Sequence, residues 1–277
     1  MTIETCYYFV VIILLTDTVN SVVMWYIFVF PLVLAQSAEY IWYSIPGNVQ
    51  KLAANSQELW GLGTDGRLYH CMLPCDGQTN RWMPLQGNPR LKEIALSETE
   101  AWGLTPSGEI YRCSLPCEHQ MDWARVSGIL KHLHTSNREV IGTDPRGNVY
   151  KAILQSRRYY PNVRWHHLPG TQMKKISFRG ESVWGLDFKK QVYRFEPHLR
   201  FWMQQPVQMQ ALSVGKDYLY GLQAGSKILM RCPLPCLDAD WEGTSHKFER
   251  ILASPNEAST IYAIAPGGKI FMGIAGE

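Results

Sequence analysis

The stretch Leu91 to Gly128, LKEIALSETEAWGLTPSGEIYRCSLPCEHQMDWARVSG, is one copy of a pattern that recurs along the chain and decides its fold. It divides into four short segments, LKEIALS, EAWGLT, GEIYRCS and WARVSG, with Pro106-Ser107-Gly108 as a tight hairpin turn between the second and third. The apolar pair Leu91/Ile94 has the spacing of a helical turn. The segment is nevertheless only about seven residues long, short for a stable helix, and its β-branched and aromatic neighbours favour strand.

Comparing the chain with itself shows how far the pattern extends. Trp42, Trp82, Trp123, Trp165, Trp202 and Trp241 stand 40, 41, 42, 37 and 39 residues apart, which gives six units. An apolar pair recurs at Val49/Leu52, Leu91/Ile94, Leu130/Leu133, Met173/Ile176, Met209/Leu212 and Phe248/Ile251. Twelve residues after the first member of each pair comes Gly61, Gly103, Gly142, Gly185 or Gly221, and only the sixth unit breaks step. Tandem units of about 40 residues with four short strands each are the signature of a β-propeller. The expectation is an all-β, six-bladed β-propeller occupying residues 38–277.

The same alignment predicts how the ring closes. The sixth unit supplies FERILAS, TIYAIA and KIFMGI but no Trp-containing outer strand, whereas WYSIPG, Trp42 to Gly47, is a spare copy at the other end. Pairing the two would remove exposed strand edges and tie the termini together. Deleting residues 38–47 is then expected to unfold the ring rather than trim it.

Residues 1–37 read as a signal peptide. Apolar runs from Tyr7 to Leu15 and Val22 to Ala35 precede Ala35 and Ser37, small residues that suit a signal-peptidase cut before Ala38. No basic residue precedes Lys51, a departure that a true start at Met24, with residues 1–23 as an upstream extension, would explain. Retention as a membrane anchor is the competing reading; neither run alone reaches the roughly 20 residues of a spanning helix.

The motif C-x-L-P-C occurs in units one, two and five, where the third strand turns toward the outer one. Local disulfides Cys71–Cys75, Cys113–Cys117 and Cys232–Cys236 are expected, using all six cysteines beyond Cys6 of the leader. Zinc would need four ligands gathered from different blades, and a redox motif would have two intervening residues rather than three. A secreted location and the disulfides support each other; a cytosolic location would overturn both.

Charge and motifs exclude several function classes. A formal charge of +3 gives no demand for nucleic acid. His132/His134 and His166/His167 lack a third ligand at metal-binding spacing, and no G-x-S-x-G, Walker loop or H-E-x-x-H is present, so neither a metal nor a catalytic constellation is assigned. The basic pairs Arg157-Arg158, Lys174-Lys175 and Lys189-Lys190 suit a solvated surface, or acidic and phosphorylated glycans if clustered on one face.

The repeats W-x-x-(I/L)-x-G, L-K-x-I and x-W-G-L, with the turns CMLPC and CSLPC, resemble the tectonin repeats of the fish-egg lectin and tachylectin group from Tyr40 to the C-terminus. Unit three departs, with EVIGTDPRG in place of a WGL segment, as do unit four, which lacks cysteines, and unit six. The resemblance implies a secreted, non-catalytic lectin that recognises N-acetylated or galactose-type sugars and bacterial surface glycans such as lipopolysaccharide, in egg or innate immune defence. It implies no cofactor, and leaves calcium and self-association into a homo-oligomer open.

Candidate carbohydrate-binding residues are the aromatics of the WGL column: Trp60, Trp102, Trp184, Tyr220 and Tyr262. Blade-to-blade packing would demand the same recurrence, as it would for the outer Trp column. Irregular residues such as Asn80, Arg81, His119 and Asp240 are equal candidates. A protein-interaction propeller of an extracellular matrix, egg envelope or membrane surface is the alternative function. A propeller hydrolase would need acids in the central channel, where the inner strands offer only Glu93 and Glu249 among Lys51, His132, Lys175 and Arg250.

Overall fold

The computed structural model describes residues 8–12, 27–31, 39–117, 122–154, 163–237 and 240–275. The chain divides into two units, Met1–Gln36 and Ser37–Glu277. In the first, Tyr8–Ile12 pairs antiparallel with Ile27–Pro31. The remainder of the leader, including the expected cut before Ala38, lies outside the described residues. No helix among the described residues is long and apolar enough to cross a membrane.

The second unit is all-β and has the arrangement of small antiparallel sheets of a β-propeller. Its described residues form four sheets of four strands and one of seven. Unit two makes one sheet from Glu93–Leu96, Glu100–Leu104, Glu109–Ser114 and Trp123–Ile129. The four segments read from the sequence correspond to these four strands. Units one and three follow the same order, starting from Lys51–Ala54 and His132–Thr135.

Units four and five share the seven-stranded sheet because one strand, Phe201–Val214, pairs with Gln191–Glu196 through its first half and Tyr218–Gln223 through its second. A local difference accompanies this. At the fifth residue after the outer Trp, four of the other five units carry Gly47, Gly87, Gly128 and Gly170, with φ of 128°, 72°, 115° and 118°, a region open to glycine, and the remaining one carries His246. At the equivalent place stands Val207, whose branched side chain resists that turn, and the strand runs straight through.

Unit six contributes Arg250–Ala253, Thr260–Ile264 and Lys269–Ala275, and its fourth strand is Tyr40–Asn48, with Gly273 opposite Trp42. Its broken register is an insertion: six residues, 254–259, join its first two strands, where three, 55–57, suffice in unit one. Ala263 then takes the glycine position opposite Ile251.

The core lies between sheets. Trp60 packs with Leu91 and Ile94 of unit two, Trp102 with Leu130 and Leu133 of unit three, Trp184 with Met209 and Val214 of unit five, and Tyr262 with Val49 and Leu59 of unit one. Each such aromatic contributes roughly 1.5–3 kcal/mol by leaving water. The glycine after it admits the first member of the apolar pair: a Cβ on Gly103 would lie 2.5 Å from a Leu91 methyl, and one on Gly142 2.5 Å from a Leu130 methyl. This contact causes the twelve-residue register.

The outer Trp column forms joints. The Trp82 indole N–H donates to the Pro46 carbonyl at 2.6 Å and Trp165 to Ser127 at 3.1 Å, each beside a corner glycine of the preceding unit. The cysteine pairs 71/75, 113/117 and 232/236 are within disulfide distance, with Cα separations of 5.7, 5.8 and 5.6 Å, as the spacing predicts.

Candidate functional site: a charged central cavity

The first strand of each unit lies at the inside of the propeller, beside the first strand of the next. Residues from these strands line a cavity of about 1200 Å³. At the position before the second member of each apolar pair stand Lys51, Glu93, His132, Lys175, Ala211 and Arg250, all on its wall. The column repeats in place but not in chemistry.

Inner strands have free edges, and side chains rather than backbone ladders join them. Glu93 accepts the Leu133 amide at 3.1 Å, Ser177 Oγ the Val214 amide at 3.0 Å, and Ser213 Oγ the Ala253 amide at 2.8 Å. His132 Nε2 faces the Ile176 carbonyl at 2.8 Å. Capping strand edges in this way satisfies buried backbone groups that would otherwise cost free energy.

Glu93 is the centre of the charge network. One carboxylate oxygen takes Lys51 Nζ at 2.9 Å, and the other contacts His132 Nδ1. Burial opposes its charge, but His132 and Lys51 more than offset this, and the carboxyl lies well below the usual carboxylate range. A group held ionised has no proton to give at neutral pH, which suits it to holding cations rather than to general-acid work.

Two neighbours are poorly compensated. Burial, and then Arg250, pull Lys175 down to about 8, and among the described residues its ammonium meets only the Gln210 carbonyl, at 3.5 Å. Burial, and then His132, push His134 down to about 4, so its ring is neutral at pH 7; its Nδ1 is buried without a hydrogen-bond partner on the cavity wall.

The structure separates the residues singled out in the sequence. Trp60, Trp102, Trp184, Tyr220 and Tyr262 are between 0% and 2% exposed and pack between sheets, which leaves little ring surface for a sugar, and Tyr262 also borders the central cavity. Asn80 and Arg81 border a second, smaller recess of about 240 Å³ with Trp82, Pro46, Gly47 and Gly77. Asp76 organises its rim by accepting the amides of Gln78, Thr79 and Asn80. Asp240 is exposed and not part of either cavity, and His119 lies outside the described residues, as do Arg157 and Arg158. Of the other basic pairs, Lys175 lines the central cavity while Lys189-Lys190 turns a hairpin capped by Asp187.

A second recurrent pairing escaped sequence reading. Glu58 faces His70 at 3.3 Å, Glu139 faces Lys151 at 2.8 Å, and Glu100 lies beside Arg112 at 3.9 Å, each joining the second strand to the third. Glu58 and Glu100 also accept the indole N–H of Trp60 and Trp102, at 2.7 and 3.1 Å. The signal was available in the acid two residues before the WGL aromatic in units one to three. Among the described residues, no group of three or more His, Cys, Asp and Glu is placed to hold a metal ion.

No family model and no curated protein matches the chain. Solved structures share its fold. The β-propeller domain of Cps50 (Swd1) from Myceliophteria thermophila aligns with a TM-score of 0.59 at 8% identity, over 84% of this chain and 99% of that one. YCF48 bound to D1 peptide gives 0.54 at 13% identity, over 86% and 96%. The WD40 ectodomain of the CRINKLY receptor kinase ACR4 from Arabidopsis thaliana gives 0.51 at 14% identity, over 84% and 83%.

Proposed function

We propose that the protein is a secreted, six-bladed, non-catalytic propeller that binds glycans, those of bacterial surfaces included, as the resemblance to tectonin-repeat lectins implies. The blade count is supported by the way Phe201–Val214 serves as outer strand to unit four and inner strand to unit five, so that the seven-stranded sheet is two blades joined at Val207. Closure by Tyr40–Asn48 is supported by its pairing with Lys269–Ala275 and by the packing of Tyr262 against unit one. Export, with residues 1–37 as signal peptide, is supported by the three cysteine pairs at disulfide distance.

One observation carries the glycan reading: the recess beside Trp82. A partly buried indole offers an apolar face to a pyranose, while Asn80 and Arg81 supply donors to its hydroxyls from a loop fixed by Asp76. The test is a glycan array probed with oxidised protein and with Asn80→Ala and Arg81→Ala, competing with free N-acetylglucosamine and galactose. Saturable binding that one sugar abolishes and both substitutions weaken is expected. Binding to no glycan by folded protein would refute it.

A protein-interaction role is the second reading. On the outermost strand Tyr40–Asn48, Ile41 and Tyr43 are exposed, and Ile41 stands opposite the exposed Ile274. This apolar strip, together with the fold shared with a peptide-bound propeller, favours a protein partner if the array is blank.

A further inference from the structure

Seven Lys and Arg side chains line the central cavity against five Glu, and only two of those acids, Glu93 and Glu249, stand at its inner strands. Glu93 spends both oxygens on Lys51 and His132. Glu249, the other inner-strand acid, is turned to Lys227 at 2.5 Å. That leaves Lys175 with one long hydrogen bond, and Arg250 with no hydrogen bond or ion pair from its side chain among the described residues. Arg250, Lys51 and Lys174 set a positive field at Lys175 that Glu93 offsets only in part. His134 brings a buried, partnerless ring nitrogen to the same wall. Cations that outnumber their counter-charges, beside an unsatisfied polar atom, describe a site that lacks its anion.

We infer that the central cavity is a binding site for a phosphate or sulfate group, held by Arg250, Lys175 and Lys51. The guanidinium can take two oxygens of a tetrahedral oxyanion in a fork, and the ammonium groups neutralise the remaining charge. Glu93 acts as a positioning residue that fixes Lys51 and His132 and keeps the ring of cations from dispersing. A cavity of about 1200 Å³ is far larger than one such ion, so there is room for a molecule that carries it, a phosphorylated or sulfated sugar among them. The site is separate from the recess at Trp82 and stands whether or not that recess binds sugar.

The test is calorimetric titration of oxidised protein at pH 7 and constant ionic strength with four probes: inorganic phosphate, inorganic sulfate, glucose 6-phosphate and glucose. Saturable one-to-one binding of at least one anion, with none of glucose, is expected. Lys175→Met and Arg250→Gln should each weaken it at least tenfold, while Lys189→Met on the outer hairpin leaves it unchanged. Near-ultraviolet circular dichroism of each variant separates lost binding from lost folding. Sugar ester at least tenfold tighter than free ion identifies an esterified ligand; equal affinity identifies the ion itself. No binding of any anion by folded protein, or binding that survives both cavity substitutions, overturns the inference. A blank glycan array with intact phosphate binding would refute the sugar recess alone.

Discussion

Lys175→Met should stabilise the protein, although it removes a residue from the heart of the candidate site. At pH 7 the ammonium is charged in both folded and unfolded chains, but burial and Arg250 make the folded chain hold its proton less tightly, at about 8 against an ordinary 10.5. That difference corresponds to roughly 3 kcal/mol of native-state cost at neutral pH. It is an upper figure, because the ammonium keeps its contact with the Gln210 carbonyl at 3.5 Å and borders the cavity. Methionine has similar length and needs no counter-charge, so a gain of about 1–2 kcal/mol is expected. The sign of the pH effect follows. Between about 8 and 10.5 the unfolded chain retains a proton that the folded chain has lost, so wild-type stability from this group rises with pH across that window. The variant lacks the rise, and the gap between the two proteins should close toward pH 10. Urea unfolding of oxidised protein at pH 7.0 and 9.5, in buffer free of phosphate and sulfate, measures both terms. A variant less stable than wild type at pH 7, or a gap that does not narrow at pH 9.5, would show that Lys175 is already compensated and refute the reasoning.

Glu93→Gln should cost about 3–5 kcal/mol, because it leaves Lys51 and His132 without their shared counter-charge, and chemical denaturation at pH 7 would show it. The wild-type contribution of Glu93, whose carboxyl is held low, is present above its unfolded value of about 4.5 and fades as pH falls below that, so acid should erase the difference between the two proteins. Gly103→Ala would place a methyl 2.5 and 2.8 Å from the two methyls of Leu91, and thermal unfolding should register a loss of about 1–3 kcal/mol with the fold retained. Reducing the three cysteine pairs removes loop constraints of about 2 kcal/mol each; a lowered melting temperature with unchanged far-ultraviolet circular dichroism is expected, since each pair closes only a loop of sequence separation 4.

The propeller was legible because its repeating residues do the same mechanical work in each unit. Leu91 needs Gly103 beneath it, and Val49 needs Gly61, so the spacing between them is imposed by a contact and survives as a readable register. The same logic misleads at the site. Trp102 recurs because unit three packs on it, and a residue buried for packing is unavailable to a ligand. The merged sheet was not legible from the missing corner glycine alone, because His246 stands at the same place as Val207 and its corner still separates two sheets. The lining of the central channel was legible, since the inner-strand reading already set Glu93 and Glu249 among Lys51, His132, Lys175 and Arg250, and these side chains border the cavity. What the one-dimensional pattern does not state is which of these charges pair, such as Glu93 with Lys51 and His132, and which are left over.

This contrast gives a rule for locating function in the molecule. A column whose residue type is constant is explained by packing between neighbouring units, and mutation there reports on stability. A column whose position is constant while its chemistry varies is not required by packing, since Lys, Glu, His, Ala and Arg all fit the same inner strand. Such a column converts a symmetric scaffold into an asymmetric site. Here it sets four basic side chains around one carboxylate that is already engaged, and it does so at the cost of holding Lys175 charged in a place that opposes its charge. A stabilised Lys175→Met variant that has lost anion binding would establish both halves of that exchange, because only a residue kept for binding is expected to oppose folding.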